Sequence, residues 1–231
     1  MKSQETIIVF NLSGQYDQLI ARKVREAKVY CEILPFDDSI KNIKEKNPNG
    51  IIIVGDNSNT DAERMINKEI FELGIPILGI CQGAHLISSL FDAGTVKGSI
   101  LFRGICNETY ADNFPFAAVE NNEQKLYGVD FHPETLKTQM GKQIIKNFLF
   151  QICCCTGNWT MESYARQSVQ SLKEQYEGKK VLCALSGGVD SAVSAVLMHK
   201  AIGTNLICIH VDHGLLRKNE SDQVEKVFRE K

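Results

Sequence analysis

A cysteine at a predicted turn between a strand and a helix is the side chain with the clearest potential for chemistry. The segment LGICQGAH, residues 78–85, places Cys81 after an apolar run, with Gly79 two residues before it and Gly83 two residues after it. A nucleophile elbow needs small residues at these positions, because the turn is tight and strained. The spacing therefore predicts a nucleophilic thiol near a helix N-terminus. A buried thiol in an α/β core has the same local pattern and is the alternative.

A histidine and a glutamate that could activate this thiol follow later in the chain. The segment FHPE, residues 131–134, ends an apolar run and supplies His132 and Glu134. A nucleophilic cysteine needs a base to remove its proton, and a carboxylate fixes the tautomer of that base. Because ligands bind at the carboxyl edge of open α/β sheets, we expect both side chains to lie near the elbow. The sequence thus predicts a Cys81–His132–Glu134 triad.

A glycine-containing loop is the second candidate site. The segment ALSGGVDSA, residues 184–192, follows an apolar strand and opens a helix, so its backbone can approach a phosphate. Asp190 and Ser191 can hydrogen-bond the ligand or help to hold a Mg²⁺-bound phosphate. The segment lacks the lysine of a Walker P-loop, and a simple glycine turn is the alternative. The predicted ATP-binding residues are Ser186, Gly187, Gly188, Val189, Asp190, Ser191 and Ala192.

Short apolar runs alternate with helix-like segments along the chain. This alternation predicts an α/β fold with right-handed crossovers and a mainly parallel sheet. The region 95–118 has no clear period and is predicted as loop with short strands. The predicted strands are 6–12, 29–36, 50–55, 75–80 and 125–132, and the predicted helices include 60–74, 82–94, 141–153 and 161–178.

A new alternation of predicted helices and strands begins after the segment CCCTGNWT. We therefore predict a domain boundary near residue 155, with one α/β domain over residues 1–155 and the beginning of a second over residues 156–231. The second domain contains the glycine loop.

Composition narrows the function classes. The 26 basic and 28 acidic side chains give a formal charge of -2, which offers no broad electrostatic footprint for nucleic acid. The first residues lack the pattern of a secretory signal, and no apolar stretch approaches the length of a membrane span, so we expect a cytoplasmic protein. We expect the eight cysteines to be reduced thiols. The sequence contains no C-x-x-C pair, so we do not expect a structural metal site.

Four segments resemble the glutamine-hydrolysing GMP synthetases over essentially the whole chain. They are YDQLIARKVREAKVYCEILPFD, IFELGIPILGICQG, FAAVENNEQKLYGVDFHPE and WTMESY. The resemblance implies a class I amidotransferase domain in which Cys81 attacks the carboxamide of glutamine, His132 is the base and Glu134 orients it. The S-G-G-V-D-S loop is similar to the pyrophosphate loop of the ATP pyrophosphatases, an adenine nucleotide alpha-hydrolase-like fold. ATP and Mg²⁺ would then activate xanthosine monophosphate (XMP), and ammonia would convert it to GMP.

The chain departs from the family pattern at four places. Asp56 follows Gly55 at a position where the family has a second glycine, whose N–H helps to bind the oxyanion. The predicted oxyanion site consists of Gly55, Asp56 and Gln82, the residue next to the nucleophile. His85 replaces a glutamine of the family motif. The segment between the elbow helix and PFAAVEN is shorter than in the family. The chain stops at VFREK, shortly after the second strand of the ATP domain, so we expect a complementing synthetase chain or a homodimer as a partner.

These departures leave two other functions open. A catalytically impaired remnant, or a binding or regulatory protein, would keep affinity for glutamine or ATP without turnover. An amidotransferase subunit of another synthetase would share the elbow and FHPE. The S-G-G-V-D-S loop favours GMP synthesis over this last reading.

Overall fold

The chain divides into two compact units, Met1–Trp159 and Thr160–Lys231. The computed structural model describes residues 5–12, 16–55, 67–92, 99–102, 118–135, 140–212 and 214–229, with backbone alone at 90–92 and 99–102. None of the helices in these ranges is long and apolar enough to cross a membrane.

The first unit alternates strands and helices before it ends in a strand hairpin and a helix. Its first half contains β1 (Thr6–Asn11), α1 (Tyr16–Glu26), β2 (Tyr30–Pro35), α2 (Ile40–Lys46) and β3 (Gly50–Gly55). Its second half contains a 3₁₀ turn (Lys68–Glu72), β4 (Ile77–Cys81), α3 (Gln82–Asp92), β5 (Ser99–Phe102), β6 (Ala118–Asn121), β7 (Leu126–Val129), α4 (Gly141–Asn147) and a π-helical turn (Phe148–Ile152).

These strands form one seven-stranded sheet in the order β2-β1-β3-β4-β7-β6-β5. The strands β2, β1, β3, β4 and β7 are mutually parallel, whereas β6 and β5 run antiparallel to their neighbours. The prediction of a mainly parallel α/β fold is therefore confirmed. Because β3, β4 and β7 are adjacent and parallel, the residues that follow them meet at one edge of the sheet.

The core lies on both faces of this sheet. Alternate residues of β1 enter opposite layers: Ile8 and Phe10 pack in one cluster, and Ile7 and Val9 in the other. All six residues of β3 are buried, as its continuous apolar run predicts. Each buried isoleucine side chain stabilises the fold by roughly 1.5–3 kcal/mol, so these strands form a rigid frame for the loops at their ends.

Helix α1 buries one stripe of its surface against this frame. Ile20 and Val24 lie one turn apart and are fully buried, and Tyr16 precedes Ile20 on the same stripe. Lys23 and Arg25 occupy the last turn, where basic groups complement the helix dipole. The first residue of α1 is thereby held at the carboxyl end of β1.

Two predicted helices differ from the structure. In the region 60–74, residues 60–66 lie outside the described part, and the rest forms only the 3₁₀ turn Lys68–Glu72. Asn67 caps that turn by accepting from the Glu69 N–H, and Gly74 follows it with a φ of +69°. The helix predicted over 141–153 is α-helical to Asn147 and then widens into the π-helical turn.

The second unit is built around two parallel strands. It contains α5 (Met161–Tyr176), β8 (Val181–Leu185), α6 (Val189–Ile202), β9 (Leu206–His210) and α7 (Glu220–Arg229). Helix α5 begins with a capping box, in which the Thr160 and Ser163 side chains accept from each other's backbone N–H.

Little apolar surface is buried within this second unit. Leu182 pairs with Ile207 on one face of the two-stranded sheet, and their exposed fractions are 62% and 47%. The buried hydrophobic side chains in its described part are Leu185, Ala195 and Ala201. We therefore expect this unit to be much less stable than the first.

Candidate active site

The segment around Cys81 has the geometry of a nucleophile elbow. Cys81 is the last residue of β4, and α3 begins at the next residue, Gln82. The φ angle of Cys81 is +53°, a left-handed conformation that is strained for a residue with a side chain. The sharp turn lifts the thiol out of the strand at the N-terminus of the helix.

Two glycines make this turn possible because the backbone approaches itself closely on both sides. A Cβ atom added to Gly79 would lie 2.3 Å from the carbonyl oxygen of Gly83. A Cβ atom added to Gly83 would lie 2.1 Å from the carbonyl oxygen of Ile53 in β3. Both separations are far below contact distance, so the elbow tolerates no larger residue at either position.

The side chains of Cys81, His132 and Glu134 form a hydrogen-bonded chain. His132 Nδ1 donates to Glu134 Oε1 over 2.7 Å, and the Glu134 side chain is fully buried. His132 also shares a hydrogen bond with the Cys81 side chain. Because Glu134 occupies Nδ1, the imidazole has Nε2 available for the sulfur. The three residues that the sequence singled out are thus brought together.

The environment of His132 favours its protonated form. Burial lowers the pKa of His132, but hydrogen bonds to Cys81 and Glu134, with the charges of both, outweigh it and raise the pKa to about 9. An imidazolium next to a sulfur stabilises a thiolate. This arrangement can therefore activate the sulfur as a nucleophile and return a proton to a leaving group.

The predicted oxyanion residues adjoin the elbow where they are described. Gly55, the last residue of β3, pairs in register with Cys81, and Gln82 is buried in the first turn of α3. Backbone N–H groups of a first helical turn have no partner within the helix and can bind an oxyanion. Asp56 lies outside the described residues. The roles of Gly55, Asp56 and Gln82 stay predictions.

His85 and Asp130 also adjoin the site, and of these two only His85 was singled out from the sequence. His85 Nε2 lies 2.5 Å from Asp130 Oδ1, and His85 is buried. Asp130 directly follows β7, so this pair links α3 to the segment that carries His132. Asp130 gave no recognisable signal, because its partner is in another element.

Tyr16 also contacts the site and was not predicted. Its ring stacks on the imidazole of His132, with centroids 4.0 Å apart and planes inclined by 25°. In the sequence it is one apolar position on the buried stripe of α1, which gives no sign of this contact.

The glycine loop joins β8 to α6 and is held by its own serines. The Ser191 hydroxyl accepts from the Ser186 N–H over 3.2 Å, and the Ser186 hydroxyl accepts from the Gly188 N–H over 3.3 Å. Gly187 has a φ of +85°, and Gly188 precedes the first residue of α6. Val189 and Asp190 are exposed, and Ala192 donates its N–H to the Gly188 carbonyl.

This loop fits an anionic ligand with a magnesium ion. It presents two hydroxyls and the Asp190 carboxylate, all hard oxygen ligands of the type that Mg²⁺ prefers. Its glycines carry no side chain of their own at a helix N-terminus, where N–H groups favour phosphate, and the Glu220 side chain lies beside Gly187. Among the described residues, no cluster of three or more histidine, cysteine or acidic side chains could hold a metal ion by itself.

The chain matches two known protein families, one over each of its two regions. The family Glutamine amidotransferase class-I matches residues 8–107 and 104–152, which is more than half of the chain. This chain belongs to the class-I glutamine amidotransferase family. A second family, the PP-loop domain, matches residues 161–230 and includes the glycine loop.

Curated relatives carry the same pair of regions. This amidotransferase chain is 49% identical to the GMP synthase (glutamine-hydrolyzing) of Acetivibrio thermocellus and 45% identical to that of Clostridium botulinum, strain Langeland. The alignments cover 98% and 99% of this chain and 52% of each relative. The chain thus spans about half the length of the curated relatives it matches.

The alignments also support the prediction that the segment between the elbow helix and PFAAVEN is shorter in this chain than in its relatives. Each alignment runs over 266 residues, more than the 231 of this amidotransferase chain, so the relatives contain residues that this chain lacks. The family match is divided at residues 104–107, within the region between the elbow helix and PFAAVEN.

A solved structure shows the same fold. A Thermoplasma acidophilum protein that is described as one subunit of a GMP synthase superposes with a TM-score of 0.50 at 23% identity. The superposition covers 74% of this amidotransferase chain and all of the other protein.

Proposed function

We propose that this chain hydrolyses glutamine at Cys81 and supplies the ammonia for glutamine-dependent synthesis of GMP from XMP. The observation that carries the proposal is the hydrogen-bonded chain from Cys81 through His132 to Glu134 on a strained elbow. The identity to GMP synthases over nearly the whole chain supports the choice of product.

In the first half of the hydrolysis, His132 takes the proton of Cys81 and the sulfur attacks the carboxamide carbon of glutamine. A C–S bond forms, and the carbonyl π electrons move onto oxygen. When the carbonyl re-forms, the C–N bond breaks and the imidazolium of His132 gives its proton to the leaving nitrogen. Ammonia leaves, and a glutamyl thioester remains on Cys81.

In the second half, water attacks the thioester. His132 takes a proton from the water and gives it to the departing sulfur, which restores the thiol and releases glutamate. Glu134 accepts from Nδ1 of His132 throughout, so that the same nitrogen of His132 faces the reaction in both halves. In this proposal, backbone N–H groups near Gly55, Asp56 and Gln82 bind the oxyanion.

We propose further that the glycine loop binds ATP. In the reaction of a whole GMP synthase, ATP would yield AMP and pyrophosphate while XMP gains an amino group. The backbone of residues 186–189 would face the phosphates, with Asp190, Ser191 and Ala192 in the first turn of α6. Ser186, Asp190 and Ser191 would hold Mg²⁺, which neutralises phosphate charge when bound.

The domain division follows from the same proposal. We assign residues 1–155 to the amidotransferase domain and residues 156–231 to the first part of the ATP pyrophosphatase domain, and the two family matches support this division. The rest of the synthetase, on the same or a separate chain, or a second copy of this chain, is a proposed partner. The cytoplasmic location stays a prediction from the sequence.

Glutamate release from glutamine tests the proposal. We expect release by the purified chain that Cys81→Ala abolishes, measured with and without ATP, Mg²⁺ and XMP. Cys154→Ala removes an exposed thiol outside the site and is the matched control. A folded sample that releases no more glutamate than Cys81→Ala would refute the proposed activity.

A further inference from the structure

The face of the His132 ring is covered by an aromatic ring from a distant part of the chain. The Tyr16 and His132 centroids are 4.0 Å apart, and their planes are inclined by 25°. The side chain of His132 is only 13% exposed. Glu134 binds one ring nitrogen, Cys81 hydrogen-bonds the same side chain, and Tyr16 lies against the ring plane.

Tyr16 is itself fixed by the core. It is the first residue of α1, and Ile20 follows one turn later on the stripe that packs beneath the sheet, with Val24 a further turn along. Both aliphatic side chains are fully buried. The position of the Tyr16 ring is therefore set by the packing of the whole helix.

This contact constrains a motion that would separate His132 from the thiol. Rotation of the imidazole about its Cβ–Cγ bond turns both ring nitrogens away from their partners, and a stacked ring resists that rotation. The electron-rich face of tyrosine also attracts an imidazolium. The favoured orientation is thus the one in which His132 contacts Cys81 and Glu134 together.

We propose that Tyr16 is a positioning residue that holds His132 in line with Cys81 through the face of its ring. The proposal rests on the proposed glutaminase function. It assigns the effect to the aromatic face and not to the hydroxyl, so phenylalanine should replace Tyr16 and an aliphatic residue should not.

Two readouts on Tyr16→Phe and Tyr16→Leu test this role. For Tyr16→Leu we expect kcat for glutamate release to fall about tenfold with KM within about twofold, because the base and not substrate binding is displaced. Tyr16→Phe should retain kcat within about twofold. The rate of Cys81 alkylation by iodoacetamide at neutral pH should fall in Tyr16→Leu and be retained in Tyr16→Phe.

Tyr30→Leu is the matched control, since Tyr30 also packs against an aromatic ring, that of Trp159, away from the site. It should leave both rates unchanged. Unchanged kcat and alkylation in Tyr16→Leu, equal losses in Tyr16→Phe, or equal losses in Tyr30→Leu would each overturn the proposal. If the wild-type chain releases no glutamate, the glutaminase function fails, and the alkylation series still decides whether Tyr16 positions His132.

Discussion

His85 and Asp130 form a second histidine–carboxylate pair in the first unit, with Nε2 and Oδ1 2.5 Å apart. His85 lies in the helix that starts after Cys81, and Asp130 lies two residues before His132. The pair therefore joins the element that carries the nucleophile to the element that carries its base. His85 comes from helix α3 and Asp130 from the segment after β7, so the pair can hold the distance between Cys81 and His132 constant.

Asp130→Ala should loosen this connection. It leaves the buried His85 without its carboxylate partner, which we expect to lower the free energy of unfolding by about 1–3 kcal/mol. Glutamate release should fall as well, because the distance between Cys81 and His132 is less constrained. Urea unfolding and a glutaminase assay measure the two effects. Asp37→Ala, an exposed aspartate in the same unit, should change neither, and an unaffected Asp130→Ala would refute the role of the pair.

Gly83→Ala should destroy the elbow. The added Cβ would lie 2.1 Å from the Ile53 carbonyl oxygen in β3, so helix and strand must separate. We expect a loss of at least about 3 kcal/mol in stability, together with all glutaminase activity. Thermal unfolding and the activity assay check both.

Gly74→Ala is the control for that substitution. Gly74 has a φ of +69° and no atom within 4 Å of an added Cβ, so its replacement strains the backbone without a clash. The expected cost is only about 1 kcal/mol, with activity retained. Equal effects of the two substitutions would contradict the close packing of the elbow.

The stabilising effect of the His132 charge should depend on pH. The pKa of His132 is raised from 6.5 to about 9 in the folded chain, so its contribution is complete below pH 6.5 and is lost as the pH rises toward 9. The difference in unfolding free energy between wild type and His132→Gln should therefore shrink by about 1–3 kcal/mol over that interval. Urea titrations at several pH values measure it.

His199→Gln removes an exposed histidine and is the control for that series. It should leave the pH dependence of the wild type unchanged. A constant or growing difference for His132→Gln between pH 6.5 and 9 would show that His132 is not held in its charged form by Cys81 and Glu134.

Gly187→Ala should weaken ATP binding selectively. Gly187 has a φ of +85° in the loop that we propose binds phosphate, and the shape of the loop depends on that angle. We expect the thermal stabilisation by ATP and Mg²⁺ to be lost while glutamate release is retained. Gly178→Ala, also at positive φ but with open space around it, should keep the ATP effect. Loss of the effect in both variants would point to general destabilisation.

The second unit should exchange its backbone hydrogens faster than the first. The strands β1 and β3 are almost fully buried, whereas Leu182 in β8 and Ile207 in β9 are exposed. We expect opening free energies at least about 3 kcal/mol lower in β8 and β9, measurable by hydrogen–deuterium exchange. Equal protection from exchange in β1 and β3 and in β8 and β9 would contradict the conclusion that the second unit has a small hydrophobic core.

The parts of this site that could be predicted from the sequence are those encoded locally. Gly79 and Gly83 mark the elbow because the constraint acts between neighbours of Cys81, and His132 and Glu134 stand two residues apart after one strand. The sheet itself follows from short apolar runs of strand length.

The contacts of Tyr16 and Asp130 could not be predicted in this way. Each depends on two elements that meet only in the folded sheet, and an aromatic residue on a buried helix stripe has the same pattern whether it covers an imidazole or an isoleucine. The 3₁₀ turn at Lys68–Glu72 was missed for a different, local reason. Its cap at Asn67 and the positive φ of Gly74 confine the segment 67–74 to one short turn, although its spacing is helical.

The most direct test of the central claim is detection of the glutamyl thioester on Cys81. The chain is mixed with glutamine, quenched in acid during turnover and digested, and the peptides are examined by mass spectrometry. We predict a glutamyl adduct on the peptide that contains Cys81, none on the peptide that contains Cys154, and a lower yield in His132→Gln. Glutamate release without an adduct on Cys81, or with an adduct on another cysteine, would contradict the assignment of the nucleophile.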